Sequence, residues 1–241
     1  MSATSIPRTA FTIRPAAERG RADFGWLDSR HTFSFGEYYD SLFMGFRSLR
    51  VINEDRVAGG KGFSPHPHRD MEIFSYVLAG KLEHKDSLGN GRVLEPGQIQ
   101  LMSAGTGVTH SEFNPSKDEP THFLQIWIRP AKTGLKPGYT EWHPRREHAD
   151  AEKVLVISPD GADDSAIIHQ DARIYRIRLP AGGATRHELK NGRGLWLQIM
   201  RGEATLNGIA LAAGDGICTE RDGLVDITSA PGAEALLFDL A

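Results

Sequence analysis

The chain is poor in cysteine: Cys218 is the one cysteine among 241 residues, so no disulfide can form within the chain. A lone thiol fits a reducing compartment, and the N-terminus lacks the apolar segment that a secretory signal requires. No apolar run approaches the length of about 18 residues that a membrane helix needs. These absences predict a cytoplasmic protein without a membrane partner.

A strong charge of one sign is also lacking. The formal net charge is −3, with 39% hydrophobic and 24% charged residues. Such values are typical of a globular protein. They give no reason to expect nucleic acid as a direct partner, because binding to nucleic acid by bulk charge needs a basic surface.

Long apolar patterns at helical spacing are missing as well. In their place, short runs of β-branched and aromatic residues occupy positions 73–78, 123–128 and 195–200, and turn-forming residues separate them. In residues 175–179 apolar side chains alternate with arginines, as in a half-buried antiparallel strand. The pattern predicts an all-β chain.

Two stretches repeat one order of elements: strand, glycine break, strand, Asn-Gly turn, strand, glycine turn and strand. The first covers residues 77–99 and the second covers residues 199–217. Such a repeat predicts two copies of one β-barrel unit. We therefore expect an N-terminal barrel in residues 1–130, a polar connecting segment in 131–145 and a C-terminal barrel in 146–241.

Four possible metal ligands come in two pairs, each pair separated by one residue: His66 with His68, and His110 with Glu112. Residues i and i+2 of a β-strand point to the same face. Two such strands side by side would direct four donor groups to one point. Three neutral imidazoles and one carboxylate suit Fe(II), Mn, Co, Ni, Cu or Zn better than Ca or Mg.

The second copy of the repeat keeps the scaffold without these ligands. Glu188 and Lys190, with His187 beside them, match the first histidine pair, and Ile227 and Ser229 match the second pair. We expect the C-terminal barrel to bind no such ion.

The histidine pairs also lie in longer motifs. The spacing Gly-x3-His-x-His-x3-Glu in residues 62–72 resembles a motif of the cupin barrels. Residues 66–72, 84–89 and 100–112 together resemble the pirin family, and the resemblance covers most of the chain. It implies a bicupin, which consists of two antiparallel double-stranded β-helix (cupin or jelly-roll) barrels in one chain.

The resemblance also implies a metal site. Pirins hold one metal ion, usually iron, in the N-terminal barrel, and their ligands correspond here to His66, His68, His110 and Glu112. We expect a divalent ion, Fe(II) first, with Cu, Mn, Co, Ni or Zn as alternatives. In cupins generally the glutamate four residues after the second histidine, here Glu72, is often a ligand, but the pirin pattern favours Glu112.

Several pirins cleave the flavonol quercetin with O2. The resemblance therefore implies a metal-dependent dioxygenase of the quercetin 2,3-dioxygenase type, with a small aromatic substrate and O2 as partners. Two alternatives remain open, since a fold does not fix a function. One is a non-enzymatic, metal-responsive protein that binds a regulator or a metabolic enzyme. The other is a hydrolase or isomerase that uses Zn or Mn.

Two carboxylates are candidates for catalytic proton transfer. Glu112 can accept a proton by loosening from the metal, and Glu72 is the alternative base. For Glu72, a role in orienting a ligand and a structural role as a partner of Arg69 also remain open. His84 and His122 are not expected to be ligands, although either can orient one by hydrogen bonding.

Four apolar residues near the predicted ligands are candidates for the wall of an aromatic-binding site. A place in the barrel core explains each of them equally well. They are Phe63, Phe74, Met102 and Phe113.

Overall fold

The computed structural model describes residues 4–148 and 150–241. Their regular structure consists of 21 β-strands and four short 3-10 helices, Arg8–Ala10, Ala16–Glu18, Arg146–His148 and Ala162–Asp164. None of the helices in this part of the chain is long and apolar enough to cross a membrane. The described residues form two compact units.

The N-terminal unit comprises residues 20–144 and 166–170. With strands numbered along the chain, it contains β2 (Gly20–Asp23), β3 (Leu27–His31), β4 (Leu49–Val57), β5 (Gly62–His68), β6 (Glu72–Ala79), β7 (Leu82–Asp86), β8 (Gly91–Leu94), β9 (Ile99–Ser103), β10 (Val108–Phe113), β11 (Thr121–Ile128), β12 (Gly138–Trp142) and β14 (Ala166–Ile167). One sheet has the order β12-β9-β6-β11-β4-β3-β2, and the facing sheet has the order β5-β10-β7-β8.

The C-terminal unit comprises the described residues up to 19 together with 145–165 and 171–241. It contains β1 (Thr12–Arg14), β13 (Lys153–Ser158), β15 (Ala172–Leu179), β16 (Ala184–Leu189), β17 (Gly194–Leu206), β18 (Ile209–Ala212), β19 (Gly216–Thr219), β20 (Gly223–Thr228) and β21 (Ala233–Leu240). One sheet has the order β1-β19-β17-β21-β15-β13, and the far end of β17 forms a second sheet with β18, β20 and β16. The prediction of two antiparallel double-stranded β-helix barrels is confirmed.

The interior of the N-terminal barrel has an apolar end and a polar end. Alternate residues of a strand share a face, so Val77 and Ser75 on β6 point inward together, as do Phe123 and Gln125 on the neighbouring β11. At the polar end, Ser75 Oγ lies 2.9 Å from Gln125 Oε1. The apolar end is a buried cluster formed by Leu27, Val57, Val77, Leu82, Leu94 and Phe123.

The two barrels repeat the same glycine geometry. Gly80 and Gly202 both have a φ of +72°, a conformation that glycine adopts without steric cost. A Cβ atom would lie 2.8 Å from the carbonyl oxygen of Pro120 at Gly80 and 2.1 Å from that of Gly232 at Gly202. Both sites therefore require glycine, which supports the repeat inferred from the sequence.

The compact units differ from the predicted boundaries at three segments, of which residues 166–170 lie in the predicted C-terminal barrel but belong to the N-terminal unit. Thr12 on β1 pairs with Cys218 on β19, so this early segment belongs to the C-terminal unit. Gly138 on β12 pairs with Ser103 on β9, so the predicted connecting segment contains an edge strand of the first barrel. Short edge strands carry too little pattern to reveal from the sequence which sheet they join.

Candidate metal centre

Three of the four predicted ligands meet at one point on the inner face of the smaller N-terminal sheet. His66 on β5 lies directly opposite His110 on β10, and His68 lies opposite Val108. One nitrogen from each of His66, His68 and His110 falls within 4.8 Å of the others. The Nε2 atoms of His66 and His110 are 3.1 Å apart.

Strand β5 has a sequence that fits this position. Pro65 and Pro67 alternate with the two histidines, so the rings of the prolines take the opposite face of the strand. Proline removes a backbone donor and is therefore confined to sheet edges and bulges. β5 is an edge strand of its sheet, and its pairing with β10 shifts register between His110 and Glu112.

Hydrogen bonds around the histidines define which nitrogen is available to a ligand. His66 Nδ1 lies 2.8 Å from the carbonyl oxygen of Ser64 and donates to it, which leaves a lone pair on His66 Nε2. His84 Nε2 lies 3.0 Å from Asp86 Oδ2 and donates to that carboxylate. This leaves a lone pair on His84 Nδ1, which faces His110 Nδ1 at 3.5 Å.

His110 is thus faced on both of its nitrogens by ring nitrogens that offer only lone pairs. A neutral imidazole carries one N–H and can donate to only one of them. A cation bound at Nε2 removes the conflict, because the ring proton is then free to sit on Nδ1 and point to His84. A hydrogen bond of this kind fixes the tautomer of a metal-bound histidine. The arrangement fits a metal ion at the histidine cluster.

Two of the three histidines are held in the neutral form that binds metals. Burial lowers the pKa of His68 to about 4, with the neighbouring His110 and His66 adding to the effect. Burial likewise lowers the pKa of His110 to about 3, assisted by His66 and His84. Near neutral pH neither ring carries the second proton that a cation would otherwise have to displace.

Glu112 lies slightly apart from the three histidines. Its carboxylate belongs to a second close group with His84 and His110, all three buried. Ser75 Oγ and Gln100 Nε2 donate to Glu112 Oε1 at 2.8 and 2.9 Å. Gln125 Nε2 donates to Oε2. Three donors compensate the buried charge and hold the carboxylate beside His110.

Sequence reasoning missed these three donors. Ser75, Gln100 and Gln125 are each at most 9% exposed. A signal was present, since each interrupts a run of apolar strand residues and a buried polar side chain needs a partner. The partner itself depends on strand register: Ser75 lies opposite both Gln100 and Gln125.

The predicted apolar wall is only partly present. Met102 packs with Ile73 and Val108 in a small cluster that Trp127 joins, and the ring of Trp127 contacts that of His68 with centroids 4.9 Å apart. Phe63 also faces the interior. By strand alternation, Phe74 and Phe113 point away from the face that carries Ser75 and Glu112.

Glu72 has partners other than those proposed from the sequence. Ser103 Oγ donates to Glu72 Oε2 at 2.7 Å, and the backbone N–H of His169 lies 3.3 Å from the same oxygen. Glu72 and Ser75 are three residues apart on β6, so they point to opposite faces of the sheet. This geometry favours a structural role, with Ser103 and His169 in place of Arg69.

His122 stands apart from the cluster, and its Nε2 atom lies 2.9 Å from Glu54 Oε1.

In the C-terminal barrel, the counterparts of the second ligand pair are buried: Ile227 joins the aliphatic core, and Ser229 Oγ donates to the carbonyl oxygen of Glu203. His187 Nε2 is engaged by Asp239 Oδ2 at 2.8 Å.

Two double-stranded β-helix barrels with a histidine cluster in the first define a bicupin with a site for a divalent metal ion. Family models match both halves: Pirin over residues 12–128 and the quercetinase C-terminal cupin domain over residues 155–240. The chain belongs to the pirin family.

Individual relatives align with this chain over nearly its whole length. A protein of Escherichia coli strain K12 named quercetin 2,3-dioxygenase is 47% identical over 228 residues, which cover 95% of this chain and 97% of the relative. The crystal structure of YhhW from Escherichia coli superposes with a TM-score of 0.93 at 45% identity, covering 96% and 97% of the two chains. A second structure, described as bacterial pirin YhhW from Escherichia coli in complex with nickel(II), has a TM-score of 0.90 at 46% identity, covering 95% and 98%.

Proposed function

We propose that the protein is a metal-dependent dioxygenase that cleaves quercetin or a similar flavonol with O2. The observation that carries the proposal is the convergence of three histidines beside a buried, hydrogen-bonded glutamate. The relative named quercetin 2,3-dioxygenase, with 47% identity, supports the substrate and the reaction. A free thiol at Cys218 supports a cytoplasmic location.

His66, His68, His110 and Glu112 are the ligands that we assign to the ion. We take Fe(II) as the resident metal, with Cu, Mn, Co, Ni and Zn as candidates that the same donors accept. A bound ion of this kind supplies open coordination positions for oxygen atoms and acidifies a hydroxyl group that it holds. On the two paired strands, the atoms that we assign as metal ligands are His66 Nε2 and His110 Nε2.

Glu112 is the group that we assign to proton transfer. Its Oε1 atom already accepts two hydrogen bonds, from Ser75 and Gln100, whereas Oε2 accepts one, from Gln125. Oε2 therefore has capacity for the proton of the flavonol 3-hydroxyl. Ser75 and Gln100 hold the carboxylate in position while this proton arrives. Glu72 has no part in this step because its face of the sheet is the opposite one.

Apolar side chains cover one side of the histidine cluster, whereas His66 and His68 are only half-buried and stay accessible to a substrate. Trp127 lies edge-on to His68, and Met102, Ile73 and Val108 pack beneath it with at most 2% exposure each. Glu112 itself is buried, and burial away from water strengthens its electrostatic interactions.

Turnover is tested by following loss of flavonol absorbance together with O2 uptake. The comparison uses metal-loaded wild type, metal-free protein, His68→Ala and the control His143→Ala, whose histidine is half exposed and pairs with Glu141. We expect turnover in the wild type and the control only. Equal rates in all four samples would mean background autoxidation, and the alternative of a non-enzymatic, metal-responsive binding protein would replace this proposal.

A further inference from the structure

A cavity of about 350 Å³ opens in the N-terminal barrel between β2, β3, β4 and β5. Four aromatic rings line its walls, those of Phe24, Phe35, Tyr38 and Phe63. The volume is within the range of small-molecule sites, which run from about 300 to 1,000 Å³. Phe24 is 65% exposed and stands at the mouth.

The floor of the cavity is polar and buried. Ser29, Asn53 and Asp55 line it, with exposures of 2, 4 and 4%. Ser29 lies directly opposite Asp55 in the β3–β4 pairing. Asn53 Oδ1 and Asp55 Oδ1 find no hydrogen-bond donor among the residues that the structure describes. Buried acceptors are nearly always paired, so these two atoms point to a ligand that donates hydrogen bonds.

The same floor adjoins the metal centre. Asn53 lies opposite Gln125, the residue that donates to Glu112 Oε2. Phe63 lies opposite Glu112 across β5 and β10. Burial raises the pKa of Asp55 to about 7, and the negative charge of Glu112 contributes to the increase, in agreement with their proximity.

We propose that this cavity binds an aromatic ring carrying at least two hydroxyl groups, which donate hydrogen bonds to Asp55 Oδ1 and Asn53 Oδ1. The faces of the ring pack against the surrounding aromatic side chains. This inference rests on the proposed function in one respect, namely that the substrate is a flavonol. The ring in the cavity is then the pendant ring of a flavonol whose 3-hydroxyl and 4-carbonyl reach the histidine cluster.

Three flavonols provide a matched ligand series. Galangin, kaempferol and quercetin share the 3-hydroxyl and the 4-carbonyl, and their pendant rings carry no, one and two hydroxyl groups. Affinity is measured by fluorescence quenching on the nickel-loaded protein under argon, where no turnover occurs. The metal contact is the same for all three, so the differences report the pendant ring. We expect an increase in affinity of about tenfold for each hydroxyl.

Two variants locate the source of this preference. Asp55→Leu keeps the approximate volume and removes one of the two acceptors, so the span of about a hundredfold between galangin and quercetin should shrink to about tenfold, the contribution of Asn53. Ala22→Phe projects a ring into the cavity that Ala22 lines and should weaken all three. The control Ala181→Phe adds the same ring at an exposed turn of the C-terminal unit and should change none. Circular dichroism and metal content verify that each variant is folded and loaded.

Equal affinities for the three flavonols in the wild type would overturn the proposal. So would a span between galangin and quercetin that is as large in Asp55→Leu as in the wild type, or unchanged binding in Ala22→Phe. If Asp55→Leu does not fold, Ala22→Phe and the wild-type series still decide the matter. The readout is separate from turnover: a protein that shows the predicted affinities but consumes no O2 would sustain this inference and refute the dioxygenase.

Discussion

The Nε2 atoms of His66 and His110 lie 3.1 Å apart, with room for a single proton between them. His66 donates its own ring proton to Ser64, and His110 is kept neutral near pH 7 by its lowered pKa. Two imidazole nitrogens held this close on paired strands are pre-organised to share one cation, so that binding of the ion requires little further ordering of the side chains.

Removing either of these histidines should remove the ion. We expect about one transition-metal ion per chain in the wild type and little metal in His66→Ala or His110→Ala, because a site that loses one of its imidazoles keeps too few donors. Elemental analysis of the purified proteins measures this, with His143→Ala as control. Full occupancy in either variant would show that the ligands are wrongly assigned.

His84 should tune the affinity for the metal without being a ligand. Its Nδ1 lone pair faces His110 Nδ1, and Asp86 holds its other nitrogen. Loss of such an outer partner typically costs about 10- to 100-fold in metal affinity. Competition with a chromophoric chelator should give this weakening for His84→Ala. His122→Ala, which removes a histidine paired with Glu54, should bind metal as the wild type does.

The two carboxylates named as catalytic candidates should separate in a mutational test. Glu112→Gln should slow turnover by about 10²- to 10⁴-fold, the usual contribution of a positioned base. Glu72→Gln should leave turnover within about twofold, since Glu72 faces Ser103 and His169 on the opposite side of the sheet. Rates are compared per bound metal ion, so that lost metal is not counted as lost catalysis. Slow turnover in Glu72→Gln would restore its role as a base.

The C-terminal barrel should bind no transition-metal ion of its own. Ile227 is part of its aliphatic core, and His187 is committed to Asp239. In the His110→Ala variant, titration with nickel followed by calorimetry should therefore reveal no remaining tight site. A specific site that involves His187 and a second protein ligand would contradict this expectation.

The sequence alone predicted what depends on local periodicity. The i, i+2 spacing of His66 and His68 is enough to put both on one face, and the Asn207–Gly208 turn adopts the positive φ angles expected of a tight hairpin. At Asn90, by contrast, the Asn-Gly signal does not mark the position of the turn. The turn there falls at residues 87–89, because Asp86 Oδ1 accepts hydrogen bonds from the backbone N–H groups of Leu88 and Asn90.

The contacts that could not be predicted from the sequence depend on the register between distant strands. Gln125 reaches Glu112 only because β11 pairs with β6, which in turn pairs with β9. The pairing of Thr12 with Cys218 joins residues about two hundred positions apart. The side of the sheet on which Glu72 lies could have been predicted from the sequence. Glu72 and Ser75 are an odd number of residues apart, so they take opposite faces once both are assigned to one strand.

Asp55 should make the stability of the metal-free protein depend on pH in a direction opposite to that of an ordinary surface carboxylate. Burial raises its pKa from 3.8 to about 7, with Glu112 and Glu54 adding to the increase and a hydrogen bond from Ser29 opposing it. Between these two pH values the unfolded chain loses the proton and the folded protein keeps it. The free energy of unfolding therefore falls as pH rises from about 4 to 7, and the loss is complete above pH 7.

The isosteric variant Asp55→Asn removes this dependence, because an amide does not titrate in this range. Relative to the variant, the wild type should lose stability by at most a few kcal/mol between pH 4 and 7. Urea unfolding of both metal-free proteins at a series of pH values measures the difference, in which effects of His68 and His110 cancel. A difference that stays constant, or that grows in favour of the wild type as pH rises, would mean that Asp55 is charged in the folded protein and that its surroundings are more polar than the cavity described above.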